Sequence, residues 1–411
     1  MRILLIAPYY PPYNNPRAAR WGMIVQEWMK RGWEIDVITG KHPANPDDTD
    51  AGGLRIFRPA FPAPGDRIRQ QIDQSGKNLR LVRWVYRLVL KSWYWPDQSW
   101  QWKKQAIKLA KTLCASNRYD ALLSVSLPFS AQEVARNLHT QYPEMVWLAD
   151  MGDPFSLQAK HPLNNRFLYK RKNRKAEKRI LEEADGIIVT CAETKFKFEE
   201  LVGEKLLKKI HIIPPISRVR ALPKVPEYEE KIQIGYFGRF FPGVREAQVF
   251  IAPLLAFARK YPVHFHFFGD TSGLLIQALN RSPEAYSYMD IHGQVGDETV
   301  AKQMSRMHFL LSLGNATNYQ LPSKTADYLC SAVPIIHLQQ LDPDAISTFL
   351  EGYEACLCLK IDKLADSTKV GPFLEKWKSN TGQSEWWEMK TKALSAEAVA
   401  SGYAACLLPE D

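Results

Sequence analysis

Short unbroken apolar runs alternate along the chain with longer stretches in which apolar residues recur every three or four positions. Ile3-Leu4-Leu5-Ile6 opens the chain and stops at Pro8, which predicts a strand buried on both faces. After a loop rich in Pro and Asn from Pro8 to Pro16, the residues Trp21, Ile24, Val25, Trp28 and Met29 lie at helical spacing, and Gly32 ends that helix. Glu34 to Gly40 is short and β-branched, a second strand. Strand, loop, helix and strand in this order predict a right-handed βαβ unit that opens a parallel sheet.

Similar units recur at Tyr119 to Ser126 with Ala131 to His139, at Met145 to Asp150, and at Asp185 to Cys191 with Glu193 to Leu201. Ile210-His211-Ile212-Ile213 closes the series, and Pro214, Pro215, Pro223 and Pro226 then crowd into a stretch without a hydrophobic period. A second series runs from Ile232 to Gly238 through a helix at Glu246 to Arg259 and strands at Val263 to Phe268, near Asp290 to His292, and at Phe309 to Leu313. A helix at Pro322 to Ser331 and a strand at Pro334 to Leu338 complete it. The pattern predicts an α/β protein with two doubly wound domains, 1–215 and 231–385, joined by a linker at 216–230, with a helical segment at 386–411 packing back on the first domain. Ligands in such sheets bind outside the carboxyl ends of the strands, so the loops after Ile6, Asp150, Gly238 and Leu313 are where chemistry is expected.

Composition narrows the picture. The 411 residues carry 45% hydrophobic residues, enough for real cores, which excludes disordered and collagen-like chains. The six cysteines follow neither a disulfide framework nor a zinc spacing, and a reducing, cytoplasmic setting fits them. No apolar run reaches the roughly 18 residues of a membrane span, and the opening run lacks a signal-peptide cleavage site. The net charge of +10 invites a nucleic-acid partner, but no recognition module accompanies it, and none is expected. No Gly-x-Gly-x-x-Gly or Gly-x4-Gly-Lys-Ser/Thr follows the apolar strands, which counts against dinucleotide oxidoreductases and P-loop nucleotidases.

Candidate chemistry concentrates in the second half. Gly238-Arg239 follows a buried strand, and Arg245 stands just ahead of a helix. Two guanidinium groups at such a junction suit a diphosphate, since each forms forked charge-assisted bonds. Leu321-Pro322-Ser323-Lys324 begins a helix after the polar loop Asn315 to Gln320; Ser323 and Lys324 are expected to face an anion, and Asp327 a ribose. In the first half Asp150 and Asp153 are expected at a strand's carboxyl end, either orienting or deprotonating an acceptor hydroxyl or stabilising a loop.

These pieces together resemble the GT-B glycosyltransferases, close to the family 4 type, over most of the chain. The matching residues are Ile6-Ala7-Pro8-Tyr9-Tyr10-Pro11-Pro12 with Arg20 and Arg31-Gly32; Asp150-Met151-Gly152-Asp153-Pro154-Phe155; Gly238-Arg239 with Arg245; and the Pro-Ser-Lys donor variant Leu321-Pro322-Ser323-Lys324 with Asp327-Tyr328-Leu329 and Pro334-Ile335-Ile336. The family's two donor-site glutamates become Tyr319 and Asp327, and its glycine pair after the first strand becomes Asn14-Asn15. The resemblance implies two Rossmann-like domains facing each other across a cleft, the first for the acceptor and the second for the nucleotide sugar. It further implies hexosyl transfer from a nucleoside-diphosphate sugar to a saccharide or lipid-linked acceptor in surface polysaccharide or glycolipid synthesis. The resemblance also implies that the anomeric configuration is retained, and neither cofactor nor metal is expected. Arg239, Lys324, Asp150 and Asp153 would be catalytic, Gly238, Arg245, Ser323, Asp327 and Tyr319 would hold the donor, and Asn14, Asn15 and Arg20 would line the acceptor side. A non-catalytic GT-B protein, or a GT-B epimerase or hydrolase using the same diphosphate site, is the alternative.

Two basic segments add a possible surface. Arg80, Arg83, Arg87 and Lys91 flank an apolar stripe that includes Trp84, and Arg171, Lys172, Arg174 and Lys175 form a second run. Such segments either lie on an anionic membrane, as a peripheral enzyme on the cytoplasmic face would need, or are solvated helices packed through their apolar stripes. His264 and His266 alternate on an apolar strand without a third ligand nearby in sequence, so they read as packing, and Cys356 with Cys358 as a buried strand face. Asp342-Pro343-Asp344 reads as a turn capping a helix at Ala345.

Overall fold

The structure is a computed structural model that describes residues 1–42, 48–59, 89–158, 162–223, 230–269 and 273–408. The chain divides into two compact units, Met1–Ile213 with Val399–Asp411, and Pro214–Ala398.

Among the described residues of the first unit, the six predicted strands and two unpredicted ones, Thr49–Ala51 and Leu54–Phe57, form one sheet of eight. In chain order they are β1 (Arg2–Ile6), β2 (Glu34–Ile38), β3 (Thr49–Ala51), β4 (Leu54–Phe57), β5 (Ala121–Val125), β6 (Val146–Asp150), β7 (Gly186–Val189) and β8 (Ile210–Ile212). Their spatial order is β3-β4-β2-β1-β5-β6-β7-β8, parallel except where β3 meets β4. Helices α1 (Pro16–Lys30), α2 (Trp100–Ser116), α3 (Ser130–His139), α4 (Arg166–Glu183) and α5 (Ala192–Val202) follow the strands. The apolar runs of β1, β5, β6 and β7 are almost wholly buried, as strands covered on both faces must be.

The second unit holds a sheet of six: β9 (Ile232–Phe237), β10 (Val263–Phe268), β11 (Met289–Gly293), β12 (Phe309–Leu313), β13 (Ile335–Gln339) and β14 (Cys356–Lys360). All its pairings are parallel, in the order β11-β10-β9-β12-β13-β14. Helices α6 (Ala247–Lys260), α7 (Leu274–Leu279), α8 (Asp297–Ser305), α9 (Lys324–Cys330), α10 (Ala345–Phe349), α11 (Val370–Trp377) and α12 (Glu385–Lys392) belong to this unit, and α13 (Ala396–Leu407) carries the chain back into the first. The architecture is thus α/β with two doubly wound parallel sheets, as the alternating pattern predicted.

Three expectations change. The segment 386–411 does not pack back as a whole: α12 stays in the second unit, where the Trp387 indole donates to the Leu329 carbonyl at 2.6 Å. In α13, Ala400 accepts from Trp28 and Tyr403 donates to Asp150, so the return to the first unit begins only there. Residues 214–223 likewise pack on the second unit, where Ser217 N–H donates to the Leu394 carbonyl and Leu222 N–H to that of Ser331. Finally, Cys356 and Cys358 do not form a buried face. Leu357 and Leu359 take the core side of β14, because they lose more by exposure to water, and this turns both thiols outward with their sulfurs 3.7 Å apart.

Candidate functional site

In each sheet the strand order reverses at one point, between β1 and β5 in the first and between β9 and β12 in the second. At such a point the loops leaving neighbouring strands diverge and open a crevice at the carboxyl ends.

The second unit places the Gly238–Glu246 and Gly314–Ser323 loops at its reversal. Gly238 leaves β9 with its N–H donating to Phe268, while Gly269 (φ 123°) packs so closely that a Cβ there would lie 2.3 Å from the Gly238 carbonyl. The loop then doubles back through reciprocal bonds between the Phe241 and Arg245 backbones, at 2.8 and 2.9 Å. Phe240 packs inward beside Tyr236 and Phe267, Arg239 is exposed, and Arg245 is buried. The Arg245 guanidinium donates to Asn315 at 2.8 Å and to the Tyr236 hydroxyl at 3.2 Å. Ala316 N–H donates to the Val244 carbonyl, and Gln340 donates to the carbonyls of Val244 and Gly314, so the two loops form one assembly.

Helix α9 joins them through Tyr328, whose buried hydroxyl accepts the Phe237 N–H at 2.7 Å and whose phenol is pushed up by burial. Lys324, one turn earlier on the same helix face, lies 3.5 Å from Asp327. Asp327 is itself buried, and its other oxygen accepts from Arg218 N–H at 2.9 Å and from Ser217. Ser323 is half-buried at the start of α9, and Tyr319 is buried in the preceding loop. Arg239 and Arg245 on one loop and Lys324 on α9 therefore stand on connected pieces of one strand-end surface, with Arg245 and Asp327 also acting as joints.

In the first unit Asn15 caps α1 by accepting from Ala18 N–H at 2.9 Å, and Pro16 starts the first turn. That turn throws Arg17 toward the strand ends, where its guanidinium donates to the Leu127 carbonyl at 3.1 Å and pairs with Asp153. Arg17 thereby ties the loop after β5 to the loop after β6. The second loop is held from below by the fully buried Glu177 of α4, which accepts from the Phe155 and Ser156 N–H groups; burial raises its carboxyl despite those bonds.

Asp150 and Asp153 separate sharply. Asp153 is partly exposed in its pair with Arg17. Asp150 is 7% exposed, and its Oδ2 accepts from the indole of Trp21 at 3.0 Å and the phenol of Tyr403 at 2.9 Å. Arg20 also turns inward, donating at 3.2 Å to both the Ile213 carbonyl and the Tyr403 hydroxyl. Its burial, which disfavours the charge, is outweighed by Tyr403 and Asp150, so its pKa moves up. Asn14 is exposed beside the cap.

Arg17 and Glu177 went unread in the sequence. The Asn15-Pro16 helix start was the available signal for Arg17, because first-turn residues of a βα unit face the strand ends. Nothing local marks Glu177 as a loop anchor.

Of the two basic segments, Arg80, Arg83, Trp84 and Arg87 lie outside the described residues. Lys91 donates to the Pro162 carbonyl at 2.7 Å, Lys172 lies over the Trp95 ring at 4.0 Å, and Arg174 donates to the Glu200 carbonyl. Arg171 and Lys175 are exposed. The segment at 91–92 is bonded to the start of α4 through Asn165 and Tyr169, which gathers the exposed rings of Trp93 and Phe167 (84% and 94%) beside the basic run of α4. Among the described residues, no helix is long and apolar enough to cross a membrane.

Neither a protein-family model nor a curated protein matches the chain. Solved structures do. A sucrose-phosphate synthase from Thermosynechococcus elongatus superposes with a TM-score of 0.71 at 15% identity, over 98% of this chain and 97% of that one. HepE of Anabaena, solved with UDP and glucose, matches at 0.63 and 10% over all of both chains. WaaG, a glycosyltransferase involved in lipopolysaccharide biosynthesis, matches at 0.61 and 11%, over 99% of this chain and 100% of that one. At these identities the likeness establishes the fold, two Rossmann-like domains of the GT-B glycosyltransferase kind.

Proposed function

We propose that the chain is a nucleotide-sugar-dependent glycosyltransferase of the family 4 type with the Pro-Ser-Lys donor variant. It moves a hexose from a nucleoside diphosphate to a saccharide or lipid-linked acceptor in surface polysaccharide or glycolipid synthesis. The observation that carries this reading is the convergence of Arg245, Arg239 and the Lys324 helix on the strand reversal of the second sheet. Departure of a nucleoside diphosphate builds negative charge on the bridging oxygen, and fixed cations stabilise that charge as it develops. Arg245 is held ready by Asn315 and Tyr236, and Lys324 by Asp327, so little reorganisation is needed. On this reading neither metal nor cofactor takes part, Asp327 acts by positioning Lys324, and transfer retains the anomeric configuration.

In the first unit Asp153, oriented by Arg17, is assigned to the acceptor hydroxyl, whereas Asp150 is assigned to the fold. The exposed Trp93 and Phe167 rings beside the basic run of α4 suit a cytoplasmic anionic membrane surface, where a lipid-linked acceptor would be met. The HepE structures hold UDP and UDP-glucose, so uridine nucleotides are the first donors to test.

The experiment is calorimetric titration of UDP, GDP, ADP and dTDP into wild type, Lys324→Ala and Asp153→Asn, followed by transfer assays. Loss of a charge-assisted phosphate contact costs about 1.5–3 kcal/mol, so Lys324→Ala should weaken the preferred nucleotide by roughly 10- to 150-fold. Asp153→Asn should bind it as wild type does yet transfer more slowly. Wild type that binds no nucleotide, or Lys324→Ala that binds it unchanged, would overturn the donor assignment and favour a non-catalytic GT-B protein.

A further inference from the structure

The open face of the second sheet carries a side-chain cluster that sugar transfer does not use. Along β10 the residues Val263, Phe265 and Phe267 are buried, so His264 and His266 share the opposite face, half-buried and outside the core. The parallel register sets His266 beside Asp290 of the edge strand β11, and His292 follows on the same side. Four polar side chains distant in sequence therefore meet. His264 Nε2 lies 3.0 Å from Asp290 Oδ2, His266 Nδ1 lies 3.9 Å from the same oxygen, and His292 Nε2 lies 2.9 Å from His266 Nδ1.

We infer that His264, His266 and Asp290 form a binding site for a divalent transition metal of the zinc type. One donor atom from each residue falls within 4.8 Å of the other two. Metal–ligand bonds of about 2.0–2.1 Å around a tetrahedral ion place ligand atoms about 3.3 Å apart, so small side-chain shifts close the set. Two imidazoles and one carboxylate suit Zn²⁺ and its neighbours, in contrast to the all-oxygen sets of Mg²⁺ and Ca²⁺.

Outer contacts prepare the site. The Gln233 amide donates to the Lys231 carbonyl at 2.9 Å, which turns its Oε1 toward His266 Nε2 at 2.5 Å. An amide oxygen only accepts, so the proton resides on His266 Nε2, and Nδ1 presents its lone pair to the other ligands. His292 stacks on Phe268 with ring centroids 4.3 Å apart and keeps its Nε2 beside His266 Nδ1, next to the three-residue set. His264 and His266 stand four and two residues before the end of β10, away from the strand-end arginines. The metal thus clips the edge strand β11 to β10, and the inference is independent of the donor-site reading.

The test uses the full chain stripped with a chelator. Calorimetry with Zn²⁺ should show one equivalent bound at micromolar or tighter affinity, with no heat from Mg²⁺ or Ca²⁺. Co²⁺ should give visible d–d bands without a thiolate charge-transfer band. His264→Gln with Asp290→Asn should abolish binding while the apo melting temperature stays that of apo wild type, and Gln233→Ala should weaken it about 10- to 100-fold. Absence of stoichiometric Zn²⁺, or binding that survives the double substitution, would overturn the site. A thiolate band on Co²⁺, pointing to Cys356 and Cys358, would overturn it equally, and this reading needs no variant to fold.

Discussion

Asp150 should behave as a structural joint, and Asp150→Ala tests this. Its Oδ2 is the acceptor for two donors, the Trp21 indole and the Tyr403 phenol, and both of those side chains are fully buried. Truncation strands both donors, at about 1–3 kcal/mol each, or roughly 2–6 kcal/mol together. For a body of this size each kcal/mol moves the melting temperature by about 2–4 °C, so a fall near 10 °C is expected in the calorimetric transition of the first unit. Asp150→Asn retains one carbonyl oxygen, which can accept both bonds, and removes only the attraction to Arg20; a shift of about 2–4 °C should follow. Tyr403→Phe removes one of the same bonds, so the double variant should cost less than the sum of Tyr403→Phe and Asp150→Ala. An Asp150→Ala protein that melts within about 2 °C of wild type, or an Asn variant as unstable as the Ala variant, would refute the joint.

Two further predictions concern the second unit. Cys358, exposed on β14, has its thiol brought down to about 7 by the hydrogen bond from Cys356 and by nearby His337, against the effect of burial. Iodoacetamide should therefore alkylate it with an inflection near that pH, and Cys356→Ala, which removes the donor, should move the inflection upward; an inflection above pH ~8.5, the ordinary thiol value, would contradict the pairing. Asp344 caps α10 and meets the buried His337 at 3.1 Å. Burial raises its carboxyl, but His337 and Ser347 outweigh this and the net shift is downward. Its stabilisation is therefore complete above about pH 4 and is lost as pH falls further, so Asp344→Asn should flatten the acid limb of the stability profile. Asp344→Ala, which removes the cap of α10 and the acceptor facing buried His337, should cost about 1–3 kcal/mol by denaturant titration, and a cost near zero would remove the pair from the fold's supports.

The parallel sheets were legible because strands covered on both faces must be written as continuous apolar runs, as in Ile3 to Ile6 and Phe309 to Leu313. Elements with a mixed code were not. Helix α2 buries Trp102, Ala106, Ala110 and Leu113, a stripe half made of alanine that barely rises above the lysines around it. Strand β4 has a single fully buried residue, Ile56, and pairs with the exposed β3 across Gly52-Gly53. In Cys356-Leu357-Cys358-Leu359 the period of two is visible, but which pair faces inward is decided only by what packs against the strand. The histidine cluster was hidden for a related reason: its third and fourth members come from β11, and only the pairing register brings them to His266.

The same distinction governs the candidate sites. Sequence spacing located the strand-end loops, because strand ends are punctuated by glycine, proline and polar residues. It did not tell positioning groups from reachable ones, since Asp150 and Asp153, like Arg17 and Arg20, differ by less than one helical turn of sequence. The structure separates them by burial. Asp150 and Arg20 face the returning α13 and satisfy Trp21, Tyr403 and Ile213, whereas Arg17 and Asp153 meet at the partly exposed strand ends. In the second unit the buried Asp327 and Tyr328 likewise fix Lys324 and the end of β9, while Arg239 stays exposed. A charge that must meet a substrate has to keep at least an edge accessible, as Arg239 does fully and Arg245, bonded to Asn315 and Tyr236, does only narrowly. An accessible loop holds its shape only if buried partners satisfy its backbone from behind. Substitutions at the buried members should therefore register in melting temperature, and those at the exposed members in binding and transfer.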